Sequence, residues 1–127
     1  MKIRIKGNMI RFRLSKTEVE QFAATGSLAE RTEFGPGKYL EYALRTDAII
    51  QTIRITFEEN SITLFIPETE RVKWTSTNLV GLQETIEIEK GKSLHVLLEK
   101  DFKCLDNTIE DQSDNYPNPL IANYIKI

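Results

Sequence analysis

Five cations crowd the first thirteen residues. Lys2, Arg4, Lys6, Arg11 and Arg13 share one parity of alternation, and no acidic residue precedes Glu18. Guanidinium forks beside ammonium groups suit a phosphate or a carboxylate, because their donors match its oxygens. These five are the candidate ligand-binding residues, for an anionic small molecule or an acidic protein segment. Two readings compete with that one: pairing inside the chain with Glu84, Glu87, Glu89 or the acidic tail, and a plain solvated face.

Other reactive residue types are sparse. Asp106, Glu110, Asp111 and Asp114, with Cys104 nearby, supply oxygen ligands for a divalent cation. Their spacing fits neither an EF-hand loop nor a zinc pattern, so no metal residue is assigned. A Cys104–His95 nucleophilic pair would need hydrogen-bond reach and a third orienting group, and neither residue sits in a recognisable motif. His95 has the parity opposite to Leu94, Val96 and Leu98 and is expected to face away from the core. Cys104 reads as a small buried residue. Gly35-Pro36-Gly37 lacks the following helix and the Lys-Ser/Thr pair of a phosphate loop. No catalytic residue and no cofactor follow from these residues.

The composition narrows the class further. The chain has 127 residues, 40% of them hydrophobic and 28% charged, with a net charge of −2. That length serves one domain, 1–127, large enough to fold without a staple. The net charge, with no interleaving of aromatic and basic residues, argues against nucleic acid. One cysteine and one histidine exclude a disulfide framework and ordinary zinc sites. No apolar stretch of signal-peptide or membrane-spanning length follows the basic start, so a cytoplasmic location without a membrane is expected.

The elements that must carry the cations are legible. Ile3, Ile5, Ile10, Phe12 and Leu14 alternate with them, and Gly7-Asn8 offers a type II′ turn. A β-hairpin over 2–14 results, with Ile5 opposite Ile10, Ile3 opposite Phe12, Arg4 opposite Arg11 and Lys2 opposite Arg13. Like charges facing across a ladder repel, so something should offset them. Ser15 and Glu18 form a capping box, Leu14 and Val19 a hydrophobic staple, and Gly26 a C-terminal cap. A short helix is expected between them. Extended stretches follow at about 28–34 and 38–45.

The pattern then repeats. At a shift of 52 residues Ile3 falls on Ile55, Ile10 on Ile62, Phe12 on Leu64 and Phe22 on Trp74. At a shift of 54, Glu30 falls on Glu84, Gly37-Lys38 on Gly91-Lys92 and Leu40 on Leu94. The fold class read from this is mainly β (α+β). A duplicated ββαββ unit, 1–46 and 53–100, would form an antiparallel barrel or a strongly curved sheet with two short helices. An extended acidic tail, 101–127, is punctuated by Tyr116-Pro117-Asn118-Pro119. At the positions of the five cations the second unit reads Arg54, Thr56, Glu58, Thr63 and Phe65. The fold itself therefore does not require cations there.

Over nearly its whole length the chain resembles a family of small bacterial proteins of unknown function. The resemblance rests on Met1-Lys2-Ile3-Arg4-Ile5-Lys6-Gly7-Asn8 with Ile10-Arg11, and on Leu97-Leu98-Glu99-Lys100-Asp101-Phe102 with Cys104-Leu105. It rests also on the ending Glu110-Asp111-Gln112-Ser113-Asp114-Asn115-Tyr116-Pro117-Asn118-Pro119. It implies no activity. A looser, architectural resemblance is to the triphosphate-tunnel hydrolases, whose eight-stranded barrel is lined with basic residues and glutamates. Their first strand alternates glutamates where this chain reads Lys2-Ile3-Arg4-Ile5-Lys6.

The function expected is that of a non-catalytic binding or interaction module using the cationic hairpin face. The alternative is a metal-dependent phosphohydrolase of the tunnel type, with Arg4, Arg11 and Arg13 on phosphate and Glu84, Glu87 and Glu89 on metal. A third reading is a homodimer in which each acidic tail covers the other chain's basic hairpin.

Overall fold

Gly7 takes φ +53° while Asn8 stays at negative φ, the turn that two-residue hairpins favour. It joins β1 (Lys2–Lys6) to β2 (Met9–Leu14) in the expected register, Ile3 opposite Phe12 and Arg4 opposite Arg11. The computed structural model describes residues 1–102. Helix α1 (Lys16–Thr25) begins at the Ser15–Glu18 capping box and ends at Gly26, whose φ of +71° only glycine adopts cheaply. The other Glu18 carboxylate oxygen contacts the Met1 ammonium, which also lies 2.7 Å from Glu30.

Two long strands follow, β3 (Ser27–Gly35) and β4 (Lys38–Asp47), turning through Pro36-Gly37. Then come β5 (Arg54–Glu58), β6 (Ser61–Pro67), α2 (Glu68–Ser76), β7 (Gly81–Glu89) and β8 (Lys92–Lys100). Among the described residues the molecule is mainly β with two helices. No barrel closes among the described residues. The strands divide into two four-stranded sheets, ordered β1-β2-β8-β7 and β3-β4-β6-β5.

Nor is the pairing antiparallel throughout, as the alternation pattern led us to expect. The central pairs, β2 with β8 and β4 with β6, run parallel. The reason lies in the helices. Each one carries the chain from one sheet to the other: α1 from β2 to β3, and α2 from β6 to β7. A turn dictates antiparallel pairing only inside its own hairpin. Once the helices cross over, each hairpin's inner strand meets a hairpin from the other half of the chain, entering from the same end. Hydrogen bonds from His95 N to Asn8 O (2.9 Å) and from Glu41 N to Asn60 O (2.7 Å) start the two parallel junctions. All four hairpin turns consequently gather at the end of the sheets away from the helices.

One core fills the space between the sheets. Ile10, Phe12, Leu14, Val96 and Leu98 from the first meet Leu28, Leu44, Ile62, Leu64 and Ile66 from the second. Phe22 and Trp74, one from each helix, are fully buried and meet edge to face with centroids 6.4 Å apart. Arg71 of α2 donates to the carbonyls of Ala23 (2.7 Å) and Phe22 (3.4 Å), satisfying the open end of α1. No helix among the described residues is long and apolar enough to cross a membrane. The tail beyond Phe102, with Cys104 and the Asp106–Asp114 acids, lies outside the described residues.

Candidate functional site

The five cations stand on the outward face of the first sheet, opposite to the core parity of Ile10, Phe12 and Leu14. Cross-strand rows order them. Lys2, Arg13, Glu99 and Gly81 make one row, and Arg4, Arg11, Leu97 and Gln83 the next. Lys6, Met9, His95 and Thr85 make the third. Around Lys2, Ile3, Arg4, Arg11 and Arg13 the surface forms a depression of about 200 Å³.

Part of the charge is met from inside the chain. Arg11 Nε lies 2.9 Å and Arg13 Nε 3.6 Å from the same Glu99 oxygen, and Lys2 Nζ donates to Asp101 at 2.9 Å. That hydrogen bond, more than any other influence, holds the Asp101 carboxyl below the usual aspartate range. The Arg11–Glu99 approach is a charge contact without an aimed hydrogen bond: Arg11 Nε and the Glu99 oxygen both lack a well-aligned partner. Arg4 and Lys6 have no ion pair among the described residues. Among the described residues, five cations thus face two carboxylates.

One partner, Asp101, is the first residue of the acidic segment 101–127, whereas Glu99 is not among the partners the sequence brought forward. Glu84 lies on the inward parity of β7, opposite Val96, whereas Glu87 points outward near the turn, opposite Ser93. Glu89 pairs with Lys92 at 3.1 Å within its own hairpin. Glu84, Glu87 and Glu89 are therefore not brought together, and no three His, Cys, Asp or Glu side chains among the described residues cluster to hold a metal. Glu99 was missed because its closeness to Arg11 and Arg13 comes from the parallel β2–β8 junction, which no local pattern announces. Gly81 shapes its place. A Cβ there would lie 2.5 Å from Leu98 O and 3.0 Å from Glu99 Cγ.

His95 does face away from the core, with Nδ1 3.0 Å from Thr85 Oγ1. Its pairing with Cys104 falls outside the described residues. Comparison with known proteins adds one relationship. The model of a family of unknown function, DUF7009, matches residues 1–120. The chain belongs to the DUF7009 family. No curated protein and no solved structure matches it. The DUF7009 span contains both sheets, both helices and every residue of the basic face, including Glu99 and Asp101.

Proposed function

We propose that this protein is a non-catalytic binding module whose basic sheet face takes a compact anion. The ligand is a phosphate-bearing small molecule or the carboxylates of an acidic protein segment. One observation carries the reading: Arg4 stands directly opposite Arg11, and among the described residues the face keeps an excess of positive charge after Glu99 and Asp101 have paired. Facing arginines destabilise a ladder unless an anion joins them. The depression of about 200 Å³ is smaller than pockets for drug-sized ligands, which favours a compact group.

We also infer that the two ββαββ halves are copies of one unit. The two parallel junctions support this, since His95–Asn8 and Glu41–Asn60 are the same contact with the halves exchanged. The inference sharpens the functional reading. The second half builds the same hairpin with Thr56 and Thr63 opposite each other where the first has Arg4 and Arg11. Cations are thus surplus to the fold. The reading places the protein in the cytoplasm, on the support of its single cysteine. The metal-dependent hydrolase has no comparable support, with Glu84 and Glu87 on opposite sheet faces.

The test is a thermal-shift series on wild type and an Arg4→Thr/Arg11→Thr variant, with phosphate, pyrophosphate, triphosphate, nucleotides and an acidic peptide. A ligand of the folded state at a hundredfold excess over its Kd adds about 2.7 kcal/mol of stability. Stabilisation of wild type but not of the variant is expected. Equal responses, or none, overturn the proposal.

A further inference from the structure

At the end where the four turns gather, the hydrophobic parity outruns the core. On β3 the parity of Leu28 continues to Phe34, which is 72% exposed, and on β5 that of Ile55 continues to Phe57, 73% exposed. On β1 and β7 it reaches Ile5 and Ile88, both more than half exposed. Ile5 and Phe57 have the inward parity of their sheets, and Phe34 and Ile88 keep it in sequence where the pairing shifts register, yet among the described residues little covers them. Behind them Leu40, Tyr42, Ile86 and Leu94 are only partly buried against the core. The two longer hairpins, β3–β4 and β7–β8, project farthest, with strands of nine or ten residues against five to seven in the other pair. A clustered apolar end of this kind marks an interaction surface.

The charges around it say what fits. Glu33 and Lys38 flank Phe34 on one long tip, and Glu87, Glu89, Lys90 and Lys92 flank Ile88 on the other. An anionic lipid surface would call for a basic rim. A polyanion would meet the glutamates. A partner carrying both signs at matching places answers the pattern, and this end of the molecule is itself such a surface. In a two-fold dimer each contact is made twice, so one long tip can meet the other long tip of its partner in both directions.

We propose that the turn end docks against a second copy of this chain, with Phe34 packing on the partner's Ile88 and Lys38 beside the partner's Glu87. Lys2, Arg4, Arg11 and Arg13 lie farther from the turns than Lys6, outside this contact, so the proposed anion site there stays open.

Sedimentation equilibrium of the full chain over a concentration series tests it. Wild type is expected to show a monomer–dimer equilibrium. Phe34→Asp/Ile88→Asp should weaken the dimer about tenfold per anchor while leaving the melting temperature unchanged at concentrations where both proteins are monomers. Lys38→Glu should weaken it as well, and Lys38→Glu/Glu87→Lys should restore it. If the aspartate variant fails to fold, the exposed charge reversals decide alone. A wild-type monomer at every concentration overturns the proposal, as does a dimer indifferent to these changes. A monomer that binds neutral phospholipid vesicles overturns it in favour of a membrane. A dimer-disrupted variant that still responds to anions separates this contact from the basic face.

Discussion

Arg4 and Arg11 face each other across the β1–β2 ladder, and among the described residues only Arg11 has a carboxylate beside it. The asymmetry arises because Arg11 lies on an inner strand, where β8 brings Glu99 alongside, whereas Arg4 lies on the sheet edge. Under the proposed reading, an incoming anion would compete with Glu99 for Arg11, beside an Arg4 that has no carboxylate partner among the described residues.

Removing that competitor should therefore help the ligand and harm the fold. Glu99→Gln is expected to raise affinity for inorganic phosphate several-fold at low ionic strength, an effect that salt should reduce. It should also cost about 1 kcal/mol of stability by leaving Arg11 and Arg13 uncompensated. Titration calorimetry and urea unfolding on the same variant read the two effects. A loss of both affinity and stability would mean that Glu99 organises the site instead of competing for it.

The helix contact should dominate stability. Phe22 and Trp74 are both fully buried, and Trp74 Nε1 donates to Val80 O at 3.2 Å. Each truncation to alanine is expected to cost about 3–5 kcal/mol, a large share of what a domain of this size has. The double variant should lose less than the two together by about 0.5–1.5 kcal/mol, the worth of the edge-to-face contact. A double-mutant cycle by urea unfolding measures it.

Two glycines should differ for physical reasons. Gly91 has φ +81° with nothing within 4 Å of an added Cβ, so Gly91→Ala pays for backbone strain alone, about 1 kcal/mol. At Gly81 a Cβ would press on Leu98 O at 2.5 Å, and backbone must move. Gly81→Ala is expected to cost about 2 kcal/mol or more. It should also disturb phosphate binding, because the Glu99 stem lies against the same spot.

Asp101 should make a measurable part of the acid sensitivity. Its folded-state pKa is lowered, chiefly by the Lys2 hydrogen bond. The stability it contributes is therefore present above the ordinary aspartate value of about 3.9 and is lost as pH falls through the lower folded value. Melting temperatures taken from about pH 6 to about pH 2 should show wild type losing stability in that window. Asp101→Asn should start lower and fall less steeply, converging on wild type at the acid end.

Whatever depends on near neighbours in the chain was readable from the residues. Parity and the Gly7-Asn8 turn determine the first hairpin and its register, because a two-residue turn leaves one pairing that keeps Ile3, Ile10 and Phe12 on one face. Ser15, Glu18 and Gly26 determine both ends of α1, since each satisfies a backbone group within one turn of itself. The gathering of Lys2, Arg4, Lys6, Arg11 and Arg13 on one face follows from the same alternation.

Tertiary structure alone decided the rest. The parallel β2–β8 junction joins residues more than eighty positions apart, such as Asn8 and His95, and alternation is identical in parallel and antiparallel strands. So the division into two sheets, the lack of a closed barrel among the described residues and the choice of Glu99 as counter-ion all waited on where α1 and α2 set the hairpins down. The side chains beyond the core tell the same story. Phe34 and Phe57 have core parity in the sequence, and only the meeting of the sheets decides that the core ends before it reaches them.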